Sequence, residues 1–120
     1  MMLSSVRPRP DHTDWNVAVW FDILTIPGTP YAAQFYREIE QWMFSNYSGS
    51  YASVRPEWSK GWGYSTSAAW SDPTMLGTTV PAAIDAGQAA GTKFADARAA
   101  LDAYDPSRLF SNSFLDTFMP

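Results

Sequence analysis

The chain has 120 residues, 46% hydrophobic and 16% aromatic, with a formal net charge of -4. That length supports one modest core rather than two domains, and eight scattered Lys and Arg against twelve Asp and Glu argue against a surface built to neutralise phosphates, so nucleic acid is not an expected partner. The absence of cysteine excludes a disulfide framework and a thiolate metal site.

Residues 1–14 read as a flexible N-terminal segment. Met1 to Pro10 lacks the long apolar stretch of a signal peptide. His12 is the only histidine, and it lies in the polar run Asp11-His12-Thr13-Asp14 without a second ligand at metal spacing, so it reads as a solvated loop residue and no metal is expected. No run of about 18 apolar residues offers a membrane span, and the polypeptide reads as soluble, with its localisation left open.

Asn16 to Ile26 is rich in β-branched and aromatic residues and apolar on both alternating faces, the pattern of a central strand covered on two sides. Its one charge, Asp22, shares a face with Trp20 and Leu24, as a paired structural carboxylate or one that points into a cavity. Pro27-Gly28-Thr29-Pro30 then supplies a turn, with Thr29 as N-cap and Pro30 at the first helical position. Ala32, Phe35, Tyr36, Ile39, Trp42 and Met43 follow the spacing of one apolar helical stripe, which predicts a helix packed on the core. Ser45 to Ser50 breaks it, and a second short extended segment runs from Tyr51 to Arg55.

Pro56 closes that segment and delivers Glu57 to Lys60 to a sheet end. Arg55 to Tyr64 packs a guanidinium, a carboxylate, an ammonium and the rings of Trp58, Trp62 and Tyr64 into ten positions. Opposite charges three residues apart, flanked by indoles that exclude water, suit proton movement on an otherwise apolar substrate. The plainer alternative is an ion pair on a tryptophan-rich turn. Ideal strand geometry sends Glu57 and Lys60 to opposite faces, so a shared site requires a turn or bulge between them, which Gly61 tolerates.

Gly61 to Gly77 reads as a loop, Thr79 to Ala86 as a short helix, and Gly87 to Gly91 as a break. Phe94, Ala97, Leu101 and Tyr104 mark a helix over about Thr92 to Tyr104, stopped by Asp105-Pro106. The tail Leu109 to Phe118 is too hydrophobic to stay free in water.

Arg55-Pro56-Glu57-Trp58-Ser59-Lys60-Gly61-Trp62, then Ala69-Trp70, then Leu101 to Leu115 with its Asp105-Pro106-Ser107-Arg108-Leu109-Phe110 core, resemble the C-terminal part of flavin-linked oxidases of the vanillyl-alcohol oxidase superfamily. Glu57 stands where sugar- and polyol-oxidising relatives carry histidine, which points to the cholesterol oxidase branch with covalent flavin. The resemblance implies an α+β fold: an antiparallel sheet flanked by helices, a partial cap or substrate domain ending in a helical tail that covers the flavin domain. Residues 15–120 would be the C-terminal part of that sterol-binding domain.

The resemblance further implies roles. Lys60 would lie beside the reactive edge of the flavin ring as a catalytic and cofactor-binding residue, favouring negative charge there during reaction with oxygen. Glu57 would be the carboxylate that takes a proton from the substrate hydroxyl or shuttles one during double-bond isomerisation. Arg55 would anchor Glu57 from behind, and Trp58, Trp62, Tyr64 and Asp22 would line the sterol pocket. FAD is implied for the complete enzyme but not for this chain alone, which has no glycine-rich phosphate cradle. The partner implied is a flavin-binding domain or subunit. The competing readings are a stand-alone sterol-binding module and a structural interaction domain.

Overall fold

The computed structural model describes residues 9–120. Positions 1–8 of the expected N-terminal segment lie outside the described residues. Residues 9–15 form a turn in which His12 stacks on Trp15 with ring centroids 4.0 Å apart. The Arg9 guanidinium sits 5.3 Å above the same indole and bonds both carboxylate oxygens of Asp11, at 3.0 and 2.6 Å, which holds that carboxyl below its usual range.

The regular elements are α1 (Ala32–Asn46), a π-helical turn (Met75–Thr79) running into α2 (Val80–Asp85), α3 (Phe94–Tyr104) and α4 (Ser113–Phe118). None of the described residues lies in a strand, which overturns the expected antiparallel sheet and with it the α+β class. Asn16 to Ile26 and Tyr51 to Arg55 run without a backbone ladder. The sequence pattern was that of a strand, but a strand exists only when another segment pairs with its N–H and C=O groups. Burial fails as well: Val17, Leu24 and Ile26 are 78%, 83% and 81% exposed, so both faces of the first segment meet solvent.

The helix expected after Pro30 forms, with a different start. Thr29 is not its N-cap; its hydroxyl donates to the Ile26 carbonyl at 2.6 Å and closes the preceding turn. Tyr31 takes the cap position in a left-handed conformation, φ 60°, unusual for so large a side chain. The apolar stripe is only partly covered: Phe35 and Trp42 remain exposed, and the one residue that α1 buries is Glu40.

The core lies in the C-terminal half. Met75, Leu76, Val80, Ile84, Phe94, Phe118 and Met119 are buried together, with Phe44, Trp58, Trp70 and Phe114 packed against them. The π turn has a local cause. Pro81 has no N–H and its ring would strike the carbonyl four residues back, so the segment widens before it and the Val80 N–H bonds the Met75 carbonyl, an i to i-5 bond. Asp72 caps this stretch, its Oδ1 accepting the Met75 N–H at 2.9 Å.

α3 is pinned to α2 by Asp85, whose Oδ1 accepts the Phe94 N–H at 2.5 Å. Asp105 then accepts the N–H groups of Leu109 and Phe110 at 2.9 and 2.8 Å, turning the chain after Tyr104. Asn112 caps α4 through the Leu115 N–H at 3.0 Å. Arg108 locks the tail with bonds to Ser111 Oγ, Asp116 Oδ1 and the Met119 carbonyl at 3.0 to 3.1 Å. The hydrophobic tail therefore packs back on this chain through Phe118 and Met119, while Leu109 and Phe110 stay exposed.

Candidate functional site

Val54 and Pro56 are buried and fix the entry to the Arg55–Tyr64 stretch. The chain then turns: the Lys60 N–H bonds the Glu57 carbonyl at 3.3 Å, spanning the three residues for which a turn is required. Glu57 is half-buried and Lys60 exposed. The Glu57 carboxylate accepts from the Ser59 N–H at 3.1 Å and from the Ser59 hydroxyl. Among the described residues Glu57 and Lys60 form no ion pair within 4.0 Å, so the Lys60 ammonium faces solvent uncommitted. The simple paired-charge alternative therefore does not describe this turn.

The three aromatic residues of the stretch each go to different partners. Trp58 stacks on Trp70, centroids 5.9 Å apart and planes at 9°, and meets Phe118 edge-on at 5.4 Å. It thus packs against the core, in the turn that also carries Glu57 and Lys60. Trp62 meets Phe44 of α1 edge-on at 5.9 Å. Tyr64 tilts against Tyr36 at 4.9 Å and folds its hydroxyl over Gly61, where any side chain would collide with it. Burial raises the Tyr64 phenol above its usual range, with the charges of Tyr36 and Glu40 adding to the shift. Arg55 is half-buried. Asp22 lies in the exposed segment 16–26 and enters no ion pair among the described residues.

Loop 61–72 holds these rings. Its neck is closed by the Trp70 N–H on the Trp62 carbonyl at 2.5 Å, and by the Ser71 and Asp72 N–H groups on the Gly63 carbonyl, both at 2.9 Å. Gly63 takes φ +59° and its missing Cβ leaves room for Leu76, so both its backbone and its contact require glycine. Below the loop is Glu40, which the sequence reading passed over. Its carboxylate accepts the Tyr64 N–H at 3.0 Å, and the neighbouring Gly63 N–H also favours its charged form. Burial pushes this carboxyl up to about 7; the two N–H groups pull it down, and the nearby Asp72 pushes it up again. The available signal was its register: Glu40 falls at three-and-four spacing with Tyr36, Met43 and Phe44.

No group of three or more potential metal ligands occurs among the described residues, and no helix is long and apolar enough to cross a membrane. Two open hollows lie elsewhere, one lined by Arg98, Asp102, Arg108 and Asp116, the other by Tyr31, Gln34, Phe35 and Glu38. The first is occupied with its own ion pairs.

The described residues thus form a helical unit in which a turn carrying Glu57 and Lys60 joins a cluster of packed aromatic rings. Residues 1–120 match the family model described as cholesterol oxidase, substrate-binding, and the chain belongs to that family. Among solved structures it is similar to a solvent-stable cholesterol oxidase, with 65% identity and a TM-score of 0.93 over 99% of this chain. It is also similar to the cholesterol oxidase of B. sterolicum, with 42% identity and a TM-score of 0.94, again over 99% of this chain. In both comparisons the chain spans 22% of the other protein's length. None of the curated proteins compared matches it.

Proposed function

We propose that this chain is the substrate-side fragment or subunit of an FAD-dependent sterol oxidase, which oxidises a 3-hydroxysteroid with oxygen to the enone and hydrogen peroxide, and which is inactive without its flavin-binding part. The observation that carries this reading is the Glu57–Lys60 turn set on the Trp58–Trp70 stack, in a chain that belongs throughout to the family. A sterol is a rigid apolar body with one hydroxyl, and it needs an aromatic or aliphatic wall with few polar groups.

Lys60 fits a flavin contact because its ammonium is exposed and held by no ion pair among the described residues. A flavin, when bound, supplies hydride acceptance and reoxidation by oxygen. Lys60 would steady negative charge at its edge. Glu57, half-buried and held by Ser59, would take the proton of the substrate hydroxyl. Arg55 would support Glu57 from behind.

Trp62, Tyr64 and Asp22 are proposed to complete the pocket together with residues of the flavin-binding part. The exposed segment 16–26 supports that partnership, because an apolar stretch uncovered on both faces favours burial on another part of the enzyme.

The test is a chimera in which residues 1–120 replace the matched portion of the solvent-stable cholesterol oxidase. Peroxide release from cholesterol is the expected result. A folded, flavin-loaded chimera that oxidises no 3-hydroxysteroid would rule the reading out.

A further inference from the structure

Glu40 is a buried acid that the proposed chemistry does not use. Burying a carboxylate costs several kcal/mol unless hydrogen bonds replace the lost water. Here the replacement comes from the Tyr64 N–H, 3.0 Å from Glu40 Oε2 in the neck of loop 61–72, with the adjacent Gly63 N–H also favouring the charged form. α1 holds that neck a second time, through Arg37, whose Nε lies 3.7 Å from Asp72 Oδ2. Between the two anchor points sits Trp70, at φ 54° with its N–H on the Trp62 carbonyl and its ring on Trp58. Trp58 in turn lies in sequence between Glu57 and Lys60, within the turn closed by the Lys60 N–H on the Glu57 carbonyl.

We propose that Glu40 is a positioning residue: its carboxylate clips the Gly63–Tyr64 backbone to α1 and so sets where loop 61–72 holds Trp70 against Trp58, behind the Glu57–Lys60 turn. The consequence for Glu57 and Lys60 rests on the sterol oxidase reading; the clip itself does not. The carboxylate accepts the Tyr64 N–H, and protonation turns one oxygen into a donor and weakens the clip. The charged and titratable groups around it are Asp72 and Tyr64 of the loop and Tyr36 and Arg37 of α1, with Arg37 drawn to Asp72. Burial places the changeover near neutral pH.

Amide NMR of the full chain tests this between about pH 5 and about pH 9, a range that brackets a shifted carboxyl. The Gly63 and Tyr64 amide protons should move together with one midpoint, at about 7. In Glu40→Gln that movement should vanish while the fold remains. In Glu40→Leu the cross-peaks between the Trp58 and Trp70 rings should be lost while those within α3 persist. Amides of Gly63 and Tyr64 that do not titrate in the wild-type chain overturn the clip, as does an undisturbed Trp58–Trp70 contact in Glu40→Leu. If Glu40→Leu does not fold, the titration comparison with Glu40→Gln still decides. In the chimera, Glu40→Gln should alter the pH profile of kcat, whereas a clip that titrates beside an unaltered profile would remove only the link to the sterol oxidase reading.

Discussion

Trp58 and Trp70 stack nearly parallel, 9° apart in plane, with Trp58 also edge-on to Phe118 and Trp70 edge-on to Phe114. One ring pair thereby joins the two-charge turn, loop 61–72 and α4. Trp70→Ala should cost on the order of 3 kcal/mol, the range for removing a large ring from a packed cluster. Denaturant unfolding measures it, and a change under about 0.5 kcal/mol, typical of a neutral surface site, would mean that the stack carries no weight.

Lys60→Met in the chimera should slow the oxygen half-reaction by roughly a hundredfold, the usual cost of one electrostatic contact at a developing charge. Folding should be unchanged, since Lys60 is exposed and unpaired among the described residues. Stopped-flow reoxidation is the measurement, and an unchanged rate would take Lys60 out of the chemistry.

Glu57→Gln in the same chimera should lower flavin reduction by about a hundredfold or more, the scale of a lost general base. The amide still accepts from Ser59, so the turn should persist. Equal reduction rates in the two proteins would assign Glu57 to the turn alone.

Stability should fall as pH rises from about 4.5 through about 7, by the contribution of Glu40. Its folded-state value lies above the ordinary 4.5, near 7, so over that window the folded chain binds more protons than the unfolded one. Glu40→Gln should flatten that part of a Tm-against-pH curve. A wild-type curve already flat there would contradict the burial argument.

Val19→Lys combined with Leu24→Lys should leave the isolated chain's Tm within a few degrees, because exposed substitutions each cost within about 0.5 kcal/mol. In a split version of the chimera the same pair should weaken association with the flavin-binding part by roughly tenfold or more, through loss of apolar burial. Equal affinity by titration calorimetry would free this segment of any docking role.

The helices were legible wherever local rules suffice. The spacing of Ala32 to Met43 located α1, Phe94 to Tyr104 located α3, and Asp105-Pro106 marked its end. The signature around Glu57 and Lys60 identified the family and required a turn that is present. The π turn before α2 was missed because Gly61 to Gly77 reads as loop and the helix only from Thr79, while Met75 to Gly77 are held in the turn by Asp72 and by core contacts of Met75 and Leu76.

The sequence by itself determined where α1 and α3 form and which charged turn marks the family, since periodicity and a local signature act between near neighbours. Tertiary structure alone decided the rest. Asn16 to Ile26 has the composition of a strand, but pairing is a relation between segments and no described segment supplies it. Glu40 looks like one more acid on a helix until loop 61–72 folds over it, because its burial and its hydrogen bond depend on a residue 24 positions away.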